Sequence, residues 1–302
     1  MSGLRASTYR IVVRSGLASA SRRLRPAATV FCYHNIVPDP LENRAGDGPL
    51  HLGASRLHAH LDWIDSAFDV VPVGEIVRRI RNGGPVRGLA ALTFDDAYQG
   101  AVSVALPLLR ARRFPATVFV VSEASQRPAP FWWDRLGLEG RLNAATRSRC
   151  VDQLGGRATS IAAAYPPRDE VTCPDVLFPA ALTEIRAVLG DGIDAGSHTL
   201  THPNLTALPA RELDKELAGS RAALADAFGA EPRLVSYPYG LTNAAVRAAA
   251  EHAGYDGGIS LSYGRVLPGS DPFDLIRVNV PATLSVDAMA CWASGLRWRP
   301  PR

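Results

Sequence analysis

Asp95 and Asp96 stand side by side in LTFDDAYQG (92–100), directly behind an apolar run, and His198 and His202 stand four apart in GSHTLTHPNL (196–205). Adjacent carboxylates repel each other and call for a counter-charge. On a helical turn, two imidazoles four residues apart share one face and can share one ion. Two histidines and a carboxylate make a good ligand set for a catalytic zinc with an open position for water, and either aspartate could supply the carboxylate. Successive strand side chains point in opposite directions. One aspartate is therefore expected on the metal and the other, where the strand breaks, beside the bound water, free to take its proton. Alone, the aspartates read as an exposed turn or a helix N-cap, and H-x-x-x-H arises readily by chance. Together they point to metal-assisted hydrolysis.

Both clusters follow apolar strands, and in parallel α/β folds the loops at the strands' carboxyl ends converge on the active site. The chain alternates strand-like runs (28–36, 88–94, 116–121, 191–197, 233–240, 255–260, 274–280) with helical ones (54–68, 101–113, 210–229, 244–254). Six or seven strand and helix pairs fit a barrel or an open doubly wound sheet. Residues 140–182 lack any period and read as an insertion beside the mouth of the fold. The expected organisation is a basic N-terminal arm (1–27), one catalytic domain (28–284), and a C-terminal helix and tail (285–302).

With 302 residues, 47% of them hydrophobic and 21% charged, the chain can bury a large core. A formal charge of +4 carried by scattered arginines does not suggest a nucleic-acid partner. Cys32, Cys150, Cys173 and Cys291 are far apart with no C-x-x-C pair, so reduced, packed thiols are expected. Arginines interrupt every apolar stretch of the N-terminus, leaving no signal peptide or membrane span. A cytoplasmic enzyme is expected, its basic amphipathic arm able to touch a membrane surface.

LTFDDAY, SHTLTHPNL and SYPYG, in that order, resemble the motifs of NodB-type polysaccharide deacetylases (carbohydrate esterase family 4), and VFCYHNIV and PFWWDRL look like flanking segments of its bacterial members. The resemblance runs from about Val30 to Val280. It implies a distorted (β/α)7 barrel, a divalent cation, and removal of N-acetyl groups from an N-acetylhexosamine-containing glycan or its precursor. By matching motif, Asp95 becomes the general base, Asp96, His198 and His202 the metal ligands, and the Tyr239 backbone N–H a donor to the oxyanion. Zinc suits these ligands best, with cobalt or nickel also compatible. Trp132, Trp133 and Asp134 are candidates for a sugar-stacking wall with a hydrogen-bonding carboxylate, at least one tryptophan being expected in the core. Tyr237 and Pro238 complete the substrate-side candidates, with a structural role open for Tyr237.

This chain departs from the family pattern at three places. Ala97 stands where the family has glycine, which is tolerable unless φ is positive there. Ser236 stands where the third motif often has an arginine that holds the catalytic aspartate, and Arg277 in DLIRVNV is the expected substitute. Leu275-Ile276-Arg277 replaces the usual Leu-x-His, so the acid that protonates the leaving amine is sought elsewhere, with His34 as candidate. His51 has no evident partner, His58 and His60 read as solvent-facing or packing residues, and Arg22, Arg23 and Arg25 as solvated. The alternative readings are a catalytically inactive glycan-binding member, or the same fold acting on O-acetyl esters or cyclic amides.

Overall fold

The computed structural model describes residues 3–168 and 172–296, so residues 1–2, three positions of the insertion and the tail beyond 296 lie outside the described residues. Seven strands carry the architecture: β1 Thr29–Tyr33, β2 Leu89–Phe94, β3 Ala116–Val120, β4 Ile193–Ser197, β5 Leu234–Ser236, β6 Gly257–Tyr263 and β7 Leu275–Asn279. Each pairs in parallel with the next, and β1 also pairs with β7, closing a seven-stranded (β/α) barrel. All residues of β1, β2 and β3 are buried, as expected of parallel strands covered on both faces.

Register fixes which residues meet. Tyr33 pairs with Phe94, so His34 and Asp95 leave the barrel at the same level. Val120 pairs with Ser197 and Ser197 with Val235, bringing His198 and Ser236 to that same end. Gly100 seats the loop behind the aspartates: a Cβ there would be driven into the Ile36 carbonyl oxygen and Asn35 Oδ1.

The helices wrap the barrel through apolar stripes. In α1 (Gly3–Arg14) and α2 (Leu17–Leu24), the segment expected as an arm is helical and packs on the molecule. In α3 (Ala54–Ala67), Leu57, Leu61 and Ile64 are buried, and in α4 (Val73–Arg81), Val73, Ile76, Val77 and Ile80 repeat at helical spacing. The long α5 (Ala210–Phe228) ends at Gly229, whose φ of 75° is the left-handed cap its sequence suggests. The C-terminal α6 (Val286–Ala293) is enclosed by α1, α2 and α3, with Trp292 Nε1 donating to Tyr9 Oη at 3.1 Å. Helix α4 and the short parallel ribbon of 35–37 with 51–53 are absent from the sequence reading, although α4 carries a readable apolar stripe and only the ribbon is too brief for a period.

Candidate active site

Asp95 lies at the end of β2, its backbone N–H donating to Tyr33 O at 2.9 Å. Its side chain is fully enclosed and grips Arg277 in a fork: Nη1 donates to Oδ1 at 2.8 Å and Nη2 to Oδ2 at 2.7 Å. Ser236 Oγ donates to Oδ2 at 3.1 Å, and the Cys32 thiol lies 3.6 Å from the same oxygen. Arg277 in turn donates Nε to Ser260 O, Nη1 to Thr93 Oγ1 and Nη2 to Ser236 Oγ. Burial alone would raise the Asp95 carboxyl, but Arg277 and His198 outweigh it and hold the group well below the usual carboxylate range. Asp95 is thus ionised and oriented by Arg277, and His198 Nε2 lies farther from its Oδ2, at 3.9 Å, than from Asp96.

Asp96 turns the other way. Its φ of 68° is left-handed, and Oδ1 sits 3.5 Å from both His198 Nε2 and His202 Nε2. His198 Nδ1 faces Ser236 O at 2.8 Å, which makes Nδ1 the protonated nitrogen and leaves the Nε2 lone pair directed at Asp96. Asp96 Oδ1 is buried without a hydrogen-bond partner among the described residues. Burial and then Asp95 push the Asp96 carboxyl up, while burial and then His198 push His202 down. Three ligand atoms within 4.8 Å of one another, one of them an unpartnered buried carboxylate oxygen, fit one divalent cation.

The histidine spacing works by a different route from the one expected. Residues 198–204 are not helical; they form a loop in which Thr199 and His202 both take positive φ, at 67° and 63°. Glu216 on α5 organises this loop: Oε2 accepts the N–H groups of Leu200 (3.0 Å) and Thr201 (2.9 Å), and Oε1 accepts Thr201 Oγ1 (2.6 Å). The His202 N–H donates to Thr199 Oγ1 at 3.1 Å. Sequence reading misses Glu216, though a glutamate inside the buried Leu213, Leu217, Ser220 stripe is a readable anomaly. Ala97 has a φ of 48°, so the position where the family keeps glycine is strained here. With Tyr239 at 58°, the site loops hold five of the eight described non-glycine residues with positive φ, as expected where function over-determines the backbone.

An aromatic wall presses on His202: its ring centroid is 4.9 Å from Trp133, 4.7 Å from Tyr239 and 4.7 Å from His198. Trp133 stacks on Phe131, and its Nε1 donates to Tyr98 Oη at 2.7 Å. The cavity above the site, about 470 Å³, is lined by His34, Trp133 and Tyr239, by Asp95, Asp96, His198 and His202, and by Asp47, Leu50, Arg147, Asp152, Leu241 and Asn279. That is ample for a small-molecule or sugar-sized group. His34, pushed down to about 4 by burial, is neutral at rest.

Several substrate-side expectations need correction. Asp134 is fully buried: Oδ1 accepts the Asp47 N–H and His51 Nε2, each at 2.8 Å, and Oδ2 accepts Tyr98 Oη at 2.5 Å, so it braces the wall and has no oxygen for a sugar. This also supplies the partner that His51 lacked in the sequence. Trp132 faces the interior, its Nε1 donating to Tyr239 Oη at 3.2 Å, and it does not line the cavity. Tyr237 is buried with Val235, Leu217 and Val246 and donates to Phe273 O at 2.9 Å, and Pro238 is buried beside it, so both are structural. Arg147, Ser148, Val151 and Asp152, all from the insertion, line the cavity instead; a segment without periodicity gave no signal for them. His60 is buried, bonded to Leu284 O, and Arg22 lies over Phe68 at 5.0 Å instead of in free solvent. A larger cavity of about 810 Å³ opens at the amino ends of β3, β4 and β5, but its Arg78 and Arg233 are paired with Glu75 and Asp256, and it contains none of this machinery.

A closed parallel barrel with a carboxylate–histidine ligand set and a spare, clamped aspartate at its carboxyl end defines a metal-dependent hydrolase architecture. Residues 82–258 match the family model for polysaccharide deacetylases, and the chain belongs to that family. It is 20% identical over 270 residues to YxkH of Bacillus subtilis strain 168, a protein assigned to the polysaccharide deacetylases, covering 89% of this chain and 76% of that one. Among solved structures it is similar to IcaB from Ammonifex degensii (TM-score 0.64, 18% identity, 89% of this chain and 97% of that one). It is also similar to a de-N-acetylase from Aggregatibacter actinomycetemcomitans (0.64, 18%, 88% and 99%) and to the Streptococcus pyogenes deacetylase PplD (0.62, 17%, 87% and 96%). At these identities the structural likeness establishes the barrel, while membership of the family makes the chain a hydrolase of acetylated glycans, in a family that depends on metal.

Proposed function

We propose that this chain removes N-acetyl groups from an N-acetylhexosamine-containing glycan, with Asp96, His198 and His202 holding zinc. A dication there supplies positive charge to polarise the acetyl carbonyl and acidifies water. Asp95 accepts the proton of the attacking water, and the Arg277 fork keeps it ionised and aimed. The Tyr239 N–H supports the oxyanion formed when water adds to the carbonyl carbon. His34, on the cavity wall and within 4.8 Å of Asp95, takes over the proton that Asp95 removes from water and passes it to the departing nitrogen as the C–N bond breaks, releasing acetate and the free amine. Trp133 and Tyr239 shape the cavity and keep water from its inner side.

The observation that carries this reading is the unpartnered Asp96 Oδ1 between two imidazole nitrogens with Asp95 held separately by Arg277. Acetate release from N-acetylhexosamine oligomers, measured before and after chelation and again after adding zinc, tests it. The reading expects release that chelation abolishes and zinc restores. No release under any condition would favour a glycan-binding protein, and release confined to O-acetylated sugars would move the substrate to esters.

A further inference from the structure

Six of the 33 basic residues and none of the 29 acidic ones lie before Asp39, so the remainder of the chain is net negative by two and the whole positive excess sits in this segment. Helices α1 and α2 pack their inner residues, Tyr9 and Ala18 among them, toward the molecule. Outward, α1 presents Arg10, Ile11 and Arg14, and α2 presents Leu17, Ala20, Arg23 and Leu24, each set at helical spacing along one face. Ile11 is 66%, Leu17 59% and Leu24 77% exposed. The fourth exposed large hydrophobic of the described residues, Leu267, joins them, because the antiparallel bridge between Ala28 and Val266 lays it beside the end of the arm. The same bridge brings Arg265 near Arg25. Arg14, Arg23 and Arg25 have no acidic partner among the described residues, and Arg10 only reaches Asp287 at 4.0 Å.

A soluble surface scatters its exposed aliphatic side chains. Here three of the four lie in the arginine-rich arm, which carries no acidic residue, and the fourth adjoins its end, the composition of a segment that lies in a membrane interface. A second copy of the chain seated on this face would oppose arginine to arginine, whereas phosphate headgroups supply the missing negative charge. We propose that α1, α2 and the adjoining 265–267 turn dock the protein on an anionic lipid bilayer. Ile11, Leu17, Leu24 and Leu267 enter the acyl boundary while Arg14, Arg23 and Arg25 engage headgroup phosphates.

Flotation of the full chain with phosphatidylglycerol vesicles and with phosphatidylcholine vesicles tests this. The full chain binds phosphatidylglycerol at least tenfold more strongly, and salt weakens that binding. The combined Arg14→Glu, Arg23→Glu, Arg25→Glu variant loses about a hundredfold, at roughly fivefold per arginine. The combined Ile11→Ser, Leu17→Ser, Leu24→Ser variant also loses affinity while retaining the salt dependence. Far-UV circular dichroism checks that each variant is folded, and the corresponding Arg→Gln set replaces the charge reversals if they are not. Equal binding to both lipids, or undiminished phosphatidylglycerol binding by the folded arginine variants, overturns the proposal. So does an absence of vesicle binding together with a dimer that the serine variant abolishes, which would assign the face to a second copy.

Discussion

Asp95 and Arg277 are each buried, and each compensates the other's charge. Such a pair stabilises less by existing than it costs to break, since either member alone is an uncompensated buried charge. Arg277→Ala is therefore expected to cost about 3–5 kcal/mol in denaturant unfolding; Arg277→Lys keeps the charge but loses the fork, and should retain folding while lowering turnover. The depressed Asp95 pKa contributes stability that is present above the unfolded carboxylate value near pH 4 and is lost as pH falls through the folded value. Asp95→Asn should lower kcat by about 10²–10⁴-fold while bound cation is retained. His34→Gln should lower kcat by about 10²-fold or more with cation content unchanged; unaltered turnover would discard the imidazole as the proton carrier. The aspartates, the two histidines and Arg277 are legible in the sequence because their types and order are unusual. Their supports are not: Cys32, Ser236 and the His51–Asp134 pair look like ordinary core residues until chain separations of 63, 141 and 83 residues are closed.

The loop after β4 is the element on which cation binding depends. Its left-handed Thr199 and His202 persist because Glu216 accepts two amides and a hydroxyl from it. Glu216→Ala strands those donors, an expected loss of about 1.5–3 kcal/mol in stability, and should raise the zinc concentration for half-maximal activity. Gly196, at the end of β4, has the Phe119 ring where a Cβ would go. Gly196→Ala should cost about 1–3 kcal/mol by overpacking, read as a fall in Tm. Strand and helix boundaries from periodicity fall within a few residues of those observed, since β1, β2 and β3 are long apolar runs and α5 carries a clean buried stripe with a glycine stop. The H-x-x-x-H spacing gave the right neighbours for the wrong reason: it presumes a helical turn, whereas positive φ values and Glu216 fold the loop back.

Across the whole molecule, alternation makes the strand and helix pairs readable and leaves a barrel and an open sheet both open, the motif resemblance pointing to the barrel; the cavity is not readable, because much of its wall comes from the aperiodic insertion. Buried histidines make stability depend on pH. His60, held between Leu284 O and Tyr33 Oη, is pushed down to about 4 by burial. The unfolded chain protonates this group near pH 6.5 and the folded chain does not, so stability is full above that value and declines as pH falls toward 4. His60→Gln should flatten the decline by about 1.4 kcal/mol per pH unit in that window, measured by urea unfolding. The central claim is that three side chains from two distant segments hold one dication beside a separate aspartate. Metal content of the purified protein, compared with the Asp95→Asn and His198→Ala/His202→Ala variants, tests it most directly. The account predicts one equivalent in the parent and in Asp95→Asn and none in the double-histidine variant; an undiminished equivalent in the folded double-histidine variant would contradict it.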